Sequence, residues 1–107
     1  MLVTLGSRTY DVTTRALVIA AAGAAADGAD LVEVAGPQPL YVTPVDEAGG
    51  EPALIVPDRL FADVTGADCP TAATAVAVIR GARLVRTADV RGARRVCDVL
   101  AAVLEAR

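Results

Sequence analysis

The stretch that most constrains the fold is residues 81–104, which reads in order as helix stop, strand, polar turn and helix. Gly81 closes the apolar run before it, the place of a glycine just past a helix end. Leu84 and Val85 predict a short strand and residues 86–89 a turn. Asp89 is then the N-cap of a last helix whose apolar stripe is Val96, Val99, Leu100 and Val103. Arg86 stands where strand gives way to helix. The same joint occurs earlier, where Gly28-Ala29-Asp30-Leu31-Val32-Glu33-Val34 follows the pattern of Gly81-Ala82-Arg83-Leu84-Val85-Arg86-Thr87. Both follow an alanine-rich run. Two such units predict a parallel α/β architecture, because parallel strands need crossover connections. Chance likeness between two alanine-rich helix ends is the competing explanation.

At 107 residues the chain is expected to be a single domain over 1–107, well short of the roughly 250 residues of a complete (β/α)₈ barrel. Its core must be built from small side chains, since alanine and valine dominate and Tyr10, Tyr41 and Phe61 are the only aromatics. Such a core buries less area per residue and favours a partner. Histidine is absent and every basic residue is arginine. That removes histidine acid/base chemistry, histidine metal sites, Schiff-base lysine and a Walker lysine together. A net charge of −3 gives no reason to expect nucleic acid. Cys69 and Cys97 stand in unrelated elements without a CxxC or a secretory leader, and read as reduced thiols. Cys97 reads as a small packing residue rather than a nucleophile. The alanine-rich residues 16–26 are too short to span a bilayer, so a soluble, cytoplasmic protein without membrane partners is expected.

Taken in order, residues 2–5 predict the first strand and residues 6–10 the loop at its carboxyl end. Asp11 caps a helix over 12–26 with Leu17, Ala20, Ala21 and Ala24 on its buried face, stopped by Asp27 and Gly28. Residues 31–34 predict a second strand, parallel to the first. Residues 1–36 thus form two βα steps, and residues 37–52, with Pro37, Pro39, Pro44 and Pro52, form a joint in which residues 40–42 offer one short extended piece. Residues 53–56 are apolar throughout, the signature of a strand buried on both faces. Residues 58–66 read as a turn and a short helical segment. A helix over 70–80 follows, with Asp68 or Thr71 as cap and Pro70 in its first turn, and residues 53–107 hold the last two βα units. Ligands of parallel α/β proteins bind at the carboxyl ends of the strands. Those ends are Gly6-Ser7-Arg8, residues 33–36, Pro57-Asp58-Arg59 and Arg86-Thr87. Arginines beside helix N-termini suit an anion, although arginines in loops are also commonly just solvated.

With these residues in hand, the chain resembles dihydropteroate synthase, of the pterin-binding (β/α)₈ family. Leu54-Ile55-Val56-Pro57-Asp58-Arg59-Leu60-Phe61 is similar to the family's serine-arginine-lysine-x-phenylalanine loop. Residues 71–78 are similar to its alanine-rich penultimate helix, and residues 81–90 to its arginine-x-histidine-aspartate-valine strand end. Glu33-Val34-Ala35-Gly36 stands where aspartate-valine-glycine-glycine is usual. The resemblance covers about four-fifths of the chain, with no single motif intact. It implies strands one, two, seven and eight of a barrel: a parallel four-stranded half of a (β/α)₈ barrel, strand order 2-1-4-3, with helices on the outer face and residues 36–52 replacing the middle strands. An uncovered inner face and two open edges would favour a homodimer closing an eight-stranded barrel, or docking onto a full-length synthase. An independent open sheet with helices on both faces is the alternative fold.

The resemblance further implies folate-type metabolism and a pterin-like or pyrophosphorylated small-molecule ligand, with Mg²⁺ accompanying the pyrophosphate. The implied anion-binding residues are Arg86, Arg59, Ser7 and Arg8, with Glu33 and Asp58 as acid/base or pairing groups. Departures from the pattern argue against a stand-alone transferase: Ala88 replaces the anion-binding histidine, and the chain contains no asparagine. Three readings follow. One is a pterin-binding relative with weak or no transferase activity; another is a non-catalytic subunit that completes or regulates another barrel. The third is a transferase of altered substrate using Glu33, Asp58 and Asp89, although Asp89 reads first as a helix cap and Glu33 as an arginine partner.

Overall fold

A computed structural model describes residues 1–34, 39–47 and 50–106. The strands are β1 (Leu2–Leu5), β2 (Arg8–Asp11), β3 (Leu17–Ala20), β4 (Leu31–Glu33), β5 (Tyr41–Pro44), β6 (Ala53–Leu54), β7 (Phe61–Asp63) and β8 (Leu84–Thr87). Two helices, α1 (Pro70–Ile79) and α2 (Val90–Glu105), flank β8, and a 3₁₀ turn, Val45–Glu47, follows β5. β1 and β2 form a separate antiparallel hairpin, while the other six strands form one mixed sheet in the order β6-β5-β4-β3-β8-β7. No helix among the described residues is long and apolar enough to cross a membrane.

The helix expected over 12–26 is not formed. Its middle is β3, the central strand, hydrogen-bonded in parallel to β4 on one side and β8 on the other. All four β3 residues are buried, so the signature of a strand covered on both faces belongs to residues 17–20. The helical preference of the surrounding alanines is a few tenths of a kcal/mol per residue. Burying Leu17, Val18 and Ile19 is worth about 1.5–3 kcal/mol each and decides the conformation.

Residues 2–5 form a strand, but it pairs with β2 across the two-residue turn Gly6-Ser7 rather than with the second parallel strand. Gly6 has φ 63°, as the first central position of a hairpin turn of this kind requires. Residues 53–56, expected as a parallel strand buried on both faces, contribute the two-residue edge strand β6, antiparallel to β5, with Leu54 and Val56 exposed. The segment expected to be helical around residue 62 is β7, parallel to β8.

The four parallel strands therefore lie second, first, fourth, third, the order expected, with β3 and β7 in place of residues 2–5 and 53–56. The steps from β3 to β4 and from β7 to β8 run in the same direction across the sheet. A right-handed crossover then puts both connections on the same face. Residues 21–30 make the first connection without a helix, and α1 makes the second. On that outer face Val18, Ala20, Ala29, Val64, Val78 and Val85 pack with Val90, Ala93 and Cys97 of α2.

The inner face is not bare. Leu17, Ile19, Leu31, Val42, Ile55 and Leu84 form a second cluster with Val12, and Val3, Leu5 and Tyr10 of the hairpin lie on it. The sheet is also strongly curled into a half-barrel, for a geometric reason. Six flat strands at about 4.8 Å spacing put their edges roughly 24 Å apart. Only residues 55–60 join β6 at one edge to β7 at the other, and they contain a turn closed by the Phe61 amide on the Asp58 carbonyl. A link that short draws the two edges toward each other.

The C-terminal joint follows the sequence closely. Gly81 has φ 109° and donates its N–H to the carbonyl of Val78. The Asp89 carboxylate accepts the Gly92 amide at 3.1 Å and caps α2. The cap position of α1 is Cys69, without a side-chain bond, in place of Asp68 or Thr71. The buried stripe of α2 is Val90, Ala93, Cys97 and Ala101, while Val99 and Val103 of the expected stripe are exposed. Small side chains let α2 lie close to the sheet. Asp89→Ala is expected to cost about 1 kcal/mol in urea unfolding. In native-state hydrogen exchange, the amides of β3 should be among the slowest in the chain.

Candidate functional site

The carboxyl ends of the parallel strands bring three charged side chains together on the inner face. Register places Asp63 of β7 opposite Arg86 of β8, and Arg86 shares its face with Leu84 two residues earlier. Glu33 ends β4 on the same face, two residues after Leu31. Arg86 donates from Nε and Nη2 to Glu33 Oε1 at 3.0 and 2.8 Å, and from Nη1 to the two Asp63 oxygens at 3.2 and 3.1 Å. Nη1 also donates to the Thr65 hydroxyl at 3.1 Å. Glu33 Oε1 takes, in addition, the Ala22 amide just beyond β3 at 2.9 Å. Arg86 of β8 thus ties β4 and β7, and Glu33 extends the tie to the end of β3.

The cluster is partly sheltered, with 22% of the Arg86 side chain and 11% of the Glu33 side chain accessible. Burial opposes the charge of Asp63, but hydrogen bonds from Thr65 and Arg86 outweigh it and hold the carboxyl below its usual range. Burial likewise opposes the charge of Arg86, and Glu33 and Asp63 override it, raising the guanidinium further. Beside the cluster lies a cavity of about 160 Å³ lined by Pro39, Leu40, Ile55, Pro57 and Phe61 with Asp63 and Arg86. That is below the roughly 300 Å³ at which small-molecule pockets begin.

The remaining candidates lie elsewhere. Ser7 and Arg8 stand at the hairpin tip, beside a cleft of about 440 Å³ that includes Leu31, Val42, Glu47 and Glu51. Leu31 is in register with Ile19, and Ile19 with Arg86, so this cleft is set apart from Arg86 across the sheet, and Arg86, Glu33 and Asp63 are not among its lining. Arg8 donates to Asp46 and Glu47 at 3.1 and 3.0 Å. Its bond to Asp46 raises the guanidinium pKa and lowers that of the carboxylate. Asp58 accepts the Leu60 amide at 2.8 Å and shapes the turn before β7. Arg59 is exposed in that turn. The Leu60 carbonyl accepts from Arg83 and Leu84 at the start of β8, so Arg59 is not gathered with Arg86. Residues 35 and 36 of the second strand end lie outside the described residues.

Asp63 was not singled out from the sequence, because residues 58–66 read as turn and helix. Asp63-Val64-Thr65-Gly66 carried the one available signal: an Asx turn, in which Asp63 accepts both the amide and the hydroxyl of Thr65, marking a strand end. The Cys97 thiol is buried, and burial pushes it up to about 11, away from nucleophilic use. Glu33 and Asp63, the carboxylates at the Arg86 end, are both held by the guanidinium. Among the described residues no group of three or more metal-ligand-type side chains converges. The cluster does not fit a Mg²⁺ ion. No family model, no curated protein and no solved structure matches this chain.

Removing the Arg86 guanidinium leaves two carboxylates facing each other without a counter-charge. Arg86→Met is expected to destabilise the fold by about 2–3 kcal/mol, less than the 3–5 of a fully buried pair because the cluster is partly wet. Asp63 adds a pH dependence of known sign: its folded pKa lies below the unfolded value near 3.9. Its contribution is therefore complete above about pH 5 and is lost as the pH falls through the lowered value. Acid unfolding of the wild type should show this loss, and Asp63→Asn should lessen it.

Proposed function

We propose that this chain is a non-catalytic α/β interaction module whose strand-end charges are structural. The observation that carries this reading is the contrast between a satisfied charge cluster and an unsatisfied helical face. Each Arg86 nitrogen is engaged by Glu33, Asp63 or Thr65, which leaves the guanidinium no free fork for a ligand oxygen. The ten residues of α1, by contrast, include no charged side chain, and Val76 and Ile79 remain 48% and 72% exposed. Val99 and Val103 of α2 add to that exposed apolar surface. An uncharged helix that leaves Val76 and Ile79 exposed is suited to burial, and a surface of this kind marks a contact site.

A second reading retains the resemblance to dihydropteroate synthase, with an anionic, pterin-like ligand at Arg86. It is favoured by the position of Arg86 at the carboxyl ends of the parallel strands, beside the small cavity. It requires phosphate oxygens to displace Glu33 and Asp63 from the guanidinium. Calorimetric titration with pyrophosphate, and with 6-hydroxymethyl-dihydropterin pyrophosphate plus Mg²⁺, separates the two. The interaction module gives no binding heat at millimolar ligand. Saturable heat that disappears in Arg86→Met, in a variant still folded by circular dichroism, would establish the ligand site instead.

A further inference from the structure

The uncharged helix α1 forms one wall of a groove. α1 and α2 run side by side in the same direction, since the Thr71 hydroxyl near the start of α1 approaches the Asp89 carboxylate that caps α2 at 3.5 Å. They meet closely there: a Cβ placed on Gly92 would come within 2.7 Å of the Thr71 hydroxyl oxygen. Toward their carboxyl ends they part, and Val78, Ile79, Leu100, Val103 and Leu104 line a groove of about 310 Å³. Its walls are entirely aliphatic, and the exposed Val76 and Val99 continue the apolar surface outward.

Charge around this groove has one sign. Arg80 directly follows Ile79 at the end of α1, while Arg91, Arg95 and Val99 stand at four-residue spacing and so share one stripe of α2. All three arginines are exposed, and among the described residues none is in a salt bridge within the chain. α1 has no carboxylate to offset them. Both carboxylates of α2 are turned toward the residues that lead into β3, where Asp98 pairs with Arg15 and Glu105 accepts the Thr14 hydroxyl. In a chain of net charge −3, this one apolar groove is bordered by unneutralised guanidinium groups.

From the pairing of an aliphatic groove with an arginine border, we infer that the α1/α2 face docks an amphipathic helix of a partner protein, its aliphatic stripe in the groove and carboxylates beside that stripe facing Arg80, Arg91 and Arg95. The inference rests on the interaction reading and names the chemistry of the partner. Backbone chemistry selects a helix over an extended segment. The groove is walled by side chains of helices that use their N–H and C=O groups internally, so an added strand would find no ladder, whereas a helix arrives with its backbone already paired. Charge selects acidity, because guanidinium groups pair with carboxylates and repel a basic stripe. Neither α1 nor α2 offers that pattern, the one lacking carboxylates and the other holding its own elsewhere, so these helices of a second copy do not supply it.

A display library of amphipathic helical peptides tests this, with the apolar stripe fixed and the flanking positions free to be Asp, Glu, Gln, Lys or Arg. Selection on the whole chain enriches Asp and Glu at the flanks. A selected peptide binds the Ile79→Glu variant about tenfold or more weakly. Selection on the triple variant Arg80→Glu, Arg91→Glu, Arg95→Glu enriches Lys and Arg instead. All four positions are exposed, so the variants keep the fold, which circular dichroism checks. Enrichment without an acidic preference, binding unchanged in Ile79→Glu, or no enrichment at all overturns the inference while leaving the interaction reading with another face or partner. Arginine-dependent cosedimentation of the wild type with phosphatidylserine vesicles, in place of peptide enrichment, assigns the patch to a membrane surface and also overturns it. Anion binding lost with Arg86 would instead overturn the interaction reading itself.

Discussion

The short link between the two edges of the sheet sets the shape on which everything else depends. Residues 55–60 leave β6 and must deliver the chain to β7 at the far edge, so the sheet curls and acquires an inside and an outside. The inside is small enough to be filled by a hairpin and a handful of aliphatic side chains. Curling also converges the carboxyl ends of the parallel strands, and convergence is what allows one guanidinium to reach Glu33 and Asp63 together. Two facing carboxylates without a counter-ion are costly, whereas the same pair around Arg86, with Glu33 sheltered and Asp63 at the exposed rim, is a cross-link. The position at which a parallel α/β protein ordinarily offers a ligand site is here occupied by its own side chains.

A similar tie serves the outer face. Asp30, at the entry to β4, accepts the Val18 amide at 2.8 Å and pairs with Arg94 of α2 at 3.1 Å. Ion pairs therefore fix α2 to the central strands at one end of the sheet and the strand ends to one another at the other. On the outer face the contacts are mainly among alanine and valine, which pack closely but bury little area per residue. That leaves the larger aliphatic side chains of α1, α2 and β6 on the outside. An economy of core size and an excess of surface apolarity are two sides of the same composition.

The sequence was most legible where local chemistry decides the structure. The glycine stop at Gly81, the Asp89 cap, both helices, and the β4 and β8 strands follow from turn and cap signals that act over a few residues. It was least legible where tertiary burial overrides propensity. Leu17-Val18-Ile19-Ala20 lies among alanines and reads as helix, because a four-residue apolar run carries no period of its own. The stripe of α2 misleads for a related reason: weighting by hydrophobicity picks Val99 and Val103, while proximity to the sheet selects Ala93 and Cys97. The Gly6-Ser7 hairpin signal was present, but it was outweighed by reading residues 2–5 as a sheet strand. At the site, Arg86 and Glu33 were legible as strand-end residues, and Asp63 was hidden by the misassigned segment around it. Whether a strand-end arginine meets a ligand or a carboxylate depends on the curl, which no local pattern encodes.

The most direct test of the account observes the Arg86 side chain itself. In a ¹⁵N-labelled sample, the Nε–Hε signal of Arg86, assigned by its loss in Arg86→Met, reports whether the guanidinium is held by Glu33 or is available. The account predicts a sharp signal, protected from exchange with water and unmoved by millimolar pyrophosphate. A signal that exchanges freely, or that shifts saturably with pyrophosphate, would contradict it and return Arg86 to the role of a ligand-binding residue.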